Sequence, residues 1–162
     1  MADNDLRKTI AELKNESNWN LNAQNLTDED IKLLANELKS NEDCHVLHLH
    51  LNFITDHGIG YLAEMLAINN TITDLYLGAN NFGDSGVMKL CEVLMDQNKT
   101  LVVIDLTFNQ ITDSSIDFIM NMLKRNQSIK GFMLIGNPMS EESKDKLRST
   151  AEVRNIRLGV DF

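Results

Sequence analysis

The chain has 162 residues, of which 43% are hydrophobic and 24% are charged, and this is enough for one domain with a continuous core. Its formal net charge of −9 argues against a nucleic-acid partner, because the neutralisation of phosphates needs a basic face. No segment approaches the run of about 18 apolar residues that a membrane span requires, so we predict no membrane partner.

The chain begins with a segment of helical periodicity. Leu6, Ile10 and Leu13 recur at the spacing of one helix face, so residues 1–15 are predicted to form an N-terminal capping helix. The next part, about residues 16–152, contains five copies of a strand followed by a helix. The whole chain, 1–162, is therefore predicted to be one repeat domain.

Each copy follows one pattern. In its clearest form the apolar residues Leu101, Ile104 and Leu106 are followed by Asn109 and Ile111. The position of Ile111 recurs at steps of 28, 28, 29 and 28 residues. The members of that series are Leu26, Ile54, Phe82, Ile111 and Met139. A period this constant is the signature of a solenoid, in which no copy folds alone.

Polar residues and glycines also recur. An asparagine stands where each later strand bends into its loop, and we expect its amide to satisfy loop backbone groups. Asp56, Asp84 and Asp113 are predicted to cap the helices that they begin, and Gly58 and Gly86 to keep the first helical turn slim. The recurring asparagines are Asn52, Asn80, Asn109 and Asn137.

The chain ends on one more strand-like segment. Val153, Ile156 and Leu158 repeat the offsets 0, 3 and 5 of the earlier strands. Residues 153–162 are therefore predicted to form a C-terminal capping strand that covers the last hydrophobic layer.

The combined pattern, Leu-x-x-Leu-x-Leu-x-x-Asn-x-Ile/Phe-x-Asp-x-Gly, resembles that of leucine-rich repeat proteins of the ribonuclease-inhibitor-like class. The resemblance covers about residues 19–158. It implies an α/β fold: a right-handed solenoid, forming a horseshoe arc, with a parallel β-sheet on the concave side and α-helices on the convex side. It also implies a non-enzymatic protein–protein interaction scaffold that grips a protein partner with the concave sheet.

Residues between the buried leucines of such a sheet face outward and align as columns across the repeats. The central column is predicted to contain Asn20, His48, Tyr76, Asp105, Met133 and Arg157. Together with the adjoining columns it forms an apolar patch with a polar rim, which is typical of a protein-binding surface. The predicted partner-binding residues are His48, His50, Leu51, Tyr76, Asp105, Phe108, Met133, Ile135 and Arg157. The alternative is ordinary strand composition, since scattered exposed apolar residues are normal.

His48 and His50 share a face and raise the question of a metal site. No cysteine is near in their columns, and Asp105 lies two strands away, about 10 Å at sheet spacing. We therefore predict no metal and no cofactor, and interpret the histidines as a pH-sensitive recognition contact or as plain surface residues. No catalytic motif occurs either: the sequence lacks Gly-x-Ser-x-Gly, a phosphate-binding glycine loop and His-Glu-x-x-His, so we predict no enzymatic activity.

Two alternatives stay open. The first is a GTPase-activating or other enzyme-regulating module that acts through its ascending loops, with Asn80 and Asn109 as the side chains to test; the absence of arginine from those loops disfavours it. The second is self-association through the edge of the final strand, although a monomer is the expectation.

The expected location is cytoplasmic. The first ten residues, MADNDLRKTI, lack the apolar segment of a secretory signal. Cys44 and Cys91 occupy positions that other copies fill with small or apolar residues, and we predict that both are buried thiols of a reducing compartment. The resemblance is compatible with a native cytosolic protein and with a bacterial effector delivered into a host cytosol.

Overall fold

The computed structural model describes residues 3–161, so Met1, Ala2 and Phe162 lie outside the described residues. Within this range one sheet contains six parallel strands in chain order. The strands are β1 (Asn18–Asn20), β2 (Val46–His48), β3 (Asp74–Tyr76), β4 (Val103–Asp105), β5 (Gly131–Met133) and β6 (Arg157–Gly159). The helices are α1 (Asp3–Leu13), α2 (Asp28–Leu38), α3 (Asp56–Leu66), α4 (Asp84–Asp96), α5 (Ile116–Arg125) and α6 (Glu141–Val153), with a 3₁₀ turn at Asp113–Ser115 before α5. The predicted α/β solenoid, with a concave sheet and convex helices, is confirmed.

The core is one continuous layer between the sheet and the helices. The middle residue of each strand points into this layer, and Leu6 and Ile10 of α1 cover its N-terminal end. The middle residues of β1 to β5 are Trp19, Leu47, Leu75, Ile104 and Phe132, all fully buried. Because each repeat buries these side chains against its neighbours, the stability of the solenoid depends on stacking. None of the described helices is both long enough and apolar enough to cross a membrane.

A ladder of buried asparagines joins the loops that follow the strands. The amide nitrogen of Asn109 donates to the carbonyls of Leu77 and Leu106 at 3.1 and 3.2 Å. Its Oδ1 accepts from the N–H of Asn80, in the preceding repeat, at 3.2 Å. The same kind of bonding is made by Asn52, Asn80 and Asn137. The predicted role of these side chains, satisfying loop backbone groups, is confirmed.

A second ladder corrects one prediction. The carboxylate of Asp56 does not cap α3, which it begins; its Oδ1 accepts the N–H groups of Gly83 and Gly86, both at 2.8 Å, at the start of α4. Asp84 and Asp113 reach the following helix start in the same way. The reason is geometric: a side chain at the first helical position lies beside the helix start of the next repeat. The helices are capped locally by other residues, such as Thr55 before α3.

The predicted register of the last strand is wrong by two residues. The repeat offsets placed Val153 at the strand's first position and Ile156 opposite Phe132. Instead Val153 is the last residue of α6, with 87% of its surface exposed. Strand β6 pairs Leu158 with Phe132.

The strand comes later than predicted because α6 continues through Val153, where the offsets had placed the start of the strand. The turn that follows α6 also differs from the turn after α5. After α5, Oδ1 of Asn126 accepts the N–H groups of Ser128 and Ile129, both at 2.8 Å.

The residue at the place of Asn126 after α6 is Arg154, whose guanidinium cannot accept a hydrogen bond. The helix ends instead on Asn155 in the left-handed region, with a φ of 52° and the paired backbone bonds of a left-handed C-cap. Because of this tighter turn, Leu158 lies opposite Phe132 only four residues after Arg154, whereas Phe132 follows Asn126 by six.

Candidate functional site

The predicted site residues lie on the outward side of the sheet. We call this surface the concave face and define it as the outward side chains of β1 to β6 together with the second and third residues that follow each of β1 to β5. The pairing of neighbouring strands places His48 beside Tyr76, Tyr76 beside Asp105 and Asp105 beside Met133. The central column is therefore assembled as predicted from β2 to β5.

Arg157 does not belong to the central column. Strand β6 pairs Arg157 with Gly131 and Gly159 with Met133, so Arg157 stands in the column of Asp74, at the last edge of the sheet. Side chains alternate with a period of two, so a shift of two residues leaves Arg157 on the predicted face of the sheet. Its guanidinium lies further along the strand than the position that we predicted.

Three rings form the centre of the concave face, and we call them the His–Tyr cluster: His48, His50 and Tyr76. The rings of His48 and Tyr76 stack almost parallel, with centroids 4.6 Å apart and planes at 6°. The His50 ring lies 5.6 Å from Tyr76 at 37°, and its Nε2 is 4.0 Å from Oδ2 of Asp105. Side chains from three adjacent strands and their loops are thus in mutual contact, which restricts their rotamers before any partner arrives.

The surroundings of the cluster shift two pKa values in opposite directions. Partial burial lowers the pKa of His48 below its ordinary 6.5, and the nearby His50 lowers it further, against an opposing effect of Asp74. Partial burial raises the pKa of Tyr76, and the carboxylates of Asp74 and Asp105 add to this effect. At neutral pH the stack of His48 on Tyr76 is therefore uncharged, and the aspartates supply the charge beside it.

The part of the concave face toward the C-terminus is apolar. Met133 and Ile135 lie across Gly159 of the next strand, where an added Cβ would come within 2.8 Å of Met133 Sδ and 3.4 Å of Ile135 Cδ1. The ring of Phe108 lies over Gly136 in the same manner, and a Cβ there would overlap it. These glycines give each large side chain a backbone surface to rest on, so the apolar part of the face is also held in place.

Leu51 and Phe108 are exposed at positions that disfavour large side chains. Their exposed fractions are 63% and 53%, and their φ angles are 57° and 52°, in the left-handed region. Ala23, Ala79 and Gly136 occupy the equivalent positions of the other repeats. A left-handed conformation costs an L-residue about 1–2 kcal/mol, and the alanines at this position bear the same cost. What distinguishes Leu51 and Phe108 is a large apolar side chain that is more than half exposed to water, and this favours a role in recognition.

One exposed aromatic residue was missed by the sequence analysis. Phe53 follows the loop asparagine of its repeat, two residues after Leu51, and is 54% exposed. Other repeats carry the polar residues Asn81 and Gln110 at this position. An alignment of the loops of the repeats, in addition to their strands, would have shown that Phe53 is an aromatic residue where other repeats have polar ones.

The chemistry available on this face is that of recognition. Among the described residues, no three His, Cys, Asp or Glu side chains come together in a way that could hold a metal ion. Cys44 and Cys91 are free and buried, and desolvation raises the pKa of each thiol to about 12. Both sulfurs are therefore protonated core atoms, since the thiolate is the reactive form.

Comparisons with known proteins agree with this geometry. A family model described as Leucine Rich repeat matches residues 69–91 and 97–120, which contain β3, β4 and much of α4 and α5. These two segments are leucine-rich repeats, and the whole chain has the leucine-rich repeat fold. A search of curated proteins found no match to this leucine-rich repeat chain. The predicted ribonuclease-inhibitor-like class stays a prediction.

Two solved structures resemble this leucine-rich repeat protein. One is the leiomodin-1 actin-binding site 2 (ABS2), with a TM-score of 0.71 and 21% identity over 94% of this chain and 88% of that chain. The other is an internalin (inlF) from Listeria monocytogenes, with a TM-score of 0.44 and 19% identity over 79% and 36% of the two chains. The likeness to the leiomodin-1 domain extends over nearly the whole of both chains and concerns the fold.

Proposed function

We propose that this leucine-rich repeat protein is a non-enzymatic interaction module that binds a protein partner through its concave face. The observation that carries the proposal is the group of large side chains held in fixed positions on that face. The His–Tyr cluster occupies its centre, and Met133, Ile135 and Phe108 rest on glycines beside it. Such aromatic and apolar anchors dominate the binding energy of protein interfaces.

The size and rigidity of the face support a macromolecular partner. Six strands at sheet spacing extend over about 24 Å. This is close to the side of about 28 Å of a square patch of about 800 Å², the area that each partner contributes to a stable interface. Leu51 and Phe108 are more than half exposed on this face, and an open surface suits a protein better than a small ligand. Pre-positioned side chains lose little rotamer entropy on binding, and this increases affinity.

The test compares a concave variant with a matched convex one. The concave variant is Tyr76→Ala/Phe108→Ala/Met133→Ala, and the control is Ile68→Ala/Phe118→Ala. Both control residues are exposed apolar side chains on the helical side, one just after α3 and one on α5. Circular dichroism and thermal denaturation establish that all the proteins are folded before binding is measured.

Actin is the first purified partner to assay, because the similar leiomodin-1 structure is of an actin-binding site. Quantitative affinity capture from cytosolic lysate then extends the search beyond actin. We expect partners that the wild type and the convex control capture equally and that the concave variant loses. Identical captured proteins for all three would refute binding through the concave face.

The enzyme-regulating alternative receives less support. It requires side chains in the ascending loops, but Asn80 and Asn109 are buried there and their amides bond to the backbone. Its decisive assay is single-turnover GTP hydrolysis by small GTPases in the presence of this protein. Acceleration that Asn80→Ala or Asn109→Ala abolishes without unfolding would favour it over the interaction module.

We further propose a cytoplasmic monomer. Two free, buried thiols are compatible with a reducing compartment. Self-association would use the open edge of β6, where backbone groups lack a neighbouring strand. Light scattering over a range of protein concentrations tests this, and a mass that rises with concentration would contradict the monomer.

A further inference from the structure

The centre of the concave face carries negative charge that its own strands do not neutralise. Asp74 precedes Tyr76 by two residues on the same face, and Asp105 is paired with Tyr76 on the adjacent strand. Among the outward-facing residues of the six described strands, Arg157 is the only lysine or arginine. It lies three strands from Asp74, about 14 Å at sheet spacing. Nε2 of His50 lies 4.0 Å from Oδ2 of Asp105, which exceeds a hydrogen-bond distance.

The fold does not require these two charges. Oδ1 of Asp105 accepts the N–H of Thr107 at 2.8 Å. In the first repeat the neutral Asn20 makes the equivalent bond to the N–H of Asn22, at 3.2 Å. Oδ2 of Asp74 accepts the hydroxyl of the adjacent Thr73 at 2.6 Å, and the residues paired with Asp74 on the neighbouring strands are the uncharged Val46 and Val103. Other repeats therefore fill both places with neutral residues, and each of these bonds needs an acceptor oxygen but no charge.

Charge and apolar surface adjoin on this face. Tyr76 lies between the two carboxylates, with Met133 directly beside Asp105 on the next strand. Carboxylates and an aromatic ring together favour a guanidinium or an ammonium group, through charge-assisted hydrogen bonds and cation–π attraction. The aliphatic stem of such a side chain, or an apolar residue next to it, suits the surface of Met133 and Ile135.

We propose that the partner segment bound by the concave face places an arginine or lysine against Tyr76, between Asp74 and Asp105, with an apolar residue over Met133 and Ile135. This inference rests on the proposed function, since it names the chemistry of the partner at the same face. The net charge of −9 gives the same preference at long range, because it attracts basic partners and repels acidic ones.

The experiment selects short random peptides, displayed on phage, against the wild type, with counter-selection against Tyr76→Ala/Phe108→Ala/Met133→Ala. Enriched peptides are synthesised, and their affinities are measured by fluorescence anisotropy. The charge variant is Asp74→Asn/Asp105→Asn, which keeps side-chain shape and the Thr107 bond. The matched control is Glu64→Gln/Glu92→Gln, which removes two exposed carboxylates from α3 and α4.

We expect the selected peptides to be enriched in arginine or lysine next to an apolar residue. Their affinity should fall about tenfold or more in the charge variant, remain unchanged in the control, and decrease as salt rises from about 50 to 200 mM. Peptides that need the concave residues but bind the charge variant as well as the wild type would overturn this inference and leave concave binding standing. Failure to select any peptide that distinguishes the wild type from the triple variant would overturn the proposed function itself.

Discussion

The Asp28 carboxylate accepts a hydrogen bond at 3.0 Å from the backbone N–H of Gly58, 30 residues further along the chain. The same carboxylate accepts the N–H and the hydroxyl of Thr55, at 2.9 and 2.6 Å. The start of α3 is therefore capped from the preceding repeat as well as by its own threonine. This bonding makes folding of one helix depend on the position of its neighbour, as expected of a solenoid with cooperative stability.

Gly58→Ala is expected to destabilise the protein by about 1–3 kcal/mol, because the new methyl group must displace packed atoms. A Cβ at this position would overlap Oδ1 of Asp28 and come within 2.7 Å of Ile54 Cγ2. Urea denaturation measures the change in the free energy of unfolding.

Gly60→Ala in the same helix is the matched control. An added Cβ there would meet the flexible side chain of Lys89, at 3.4 Å from Nζ, which is an ordinary van der Waals contact. Helix propensity then predicts stabilisation by up to about 1 kcal/mol. Equal effects of the two substitutions would contradict the steric explanation for Gly58.

Asn109→Ala is expected to lower the free energy of unfolding by about 1–3 kcal/mol. It would remove the acceptor of the buried Asn80 N–H. It would also remove one of the two asparagine donors to each of the carbonyls of Leu77 and Leu106. Asn81→Ala, which truncates an exposed amide in a neighbouring loop, should stay within about 0.5 kcal/mol of the wild type. A thermal transition unchanged by Asn109→Ala would show that the asparagine ladder contributes little.

Acid should weaken the link between α4 and the turn that precedes α5. Burial alone would raise the pKa of Asp84, but hydrogen bonds from Ser115 and Thr112 lower it below its ordinary 3.8. The unfolded chain therefore takes up the proton at a higher pH than the folded one. The resulting stability is present above pH 3.8 and is lost as the pH falls from there through the folded pKa.

Asp84→Asn should remove this contribution and flatten the dependence of stability on pH in that window. Urea denaturation at a series of acidic pH values measures the two slopes. Glu64→Gln, which removes one exposed carboxylate from α3, serves as the control for the loss of a single negative charge. A variant whose slope equals that of the wild type would exclude Asp84 as a source of acid sensitivity.

The histidine stack is expected to titrate below the usual range. In an NMR titration, the midpoint of His48 should lie below 6.5, mainly because of partial burial against Tyr76. His50→Gln should raise that midpoint by removing a neighbouring positive charge, and Asp74→Asn should lower it further. Stability from this group is complete above pH 6.5 and declines as the pH falls through the folded pKa. Shifts of the opposite sign in the two variants would contradict the described surroundings of His48.

The sequence-based predictions agree best with the structure for features that follow from the repeat period. A strand residue such as Leu47 or Ile104 is buried wherever the repeat recurs, because inward and outward positions alternate along each strand. The columns of β2 to β5 were predictable for the same reason, and His48, Tyr76, Asp105 and Met133 lie side by side as expected.

The predictions from the sequence are wrong for features that depend on contacts between different repeats. Whether Asp56 bonds to its own helix or to the next one depends on the distance between stacked repeats, and residue spacing along the chain does not reveal that distance. The place of Arg157 depends on one turn, which Arg154 closes differently from the asparagines before it. Neither the bonding of Asp56 nor the position of Arg157 changes the alternation of inward and outward side chains. The same sequence pattern is therefore compatible with the predicted and with the observed arrangement.

The sequence by itself therefore determined the architecture, the inward and outward residues and the column of candidate contacts, because these depend on local periodicity repeated many times. Tertiary structure alone decided the parallel stack of His48 on Tyr76 and the glycine supports under Met133 and Phe108. It also decided the bonds from the preceding repeat to the starts of α3, α4 and α6 and to the turn before α5. These features depend on distances between side chains about 28 residues apart, and such distances exist only once the repeats have stacked.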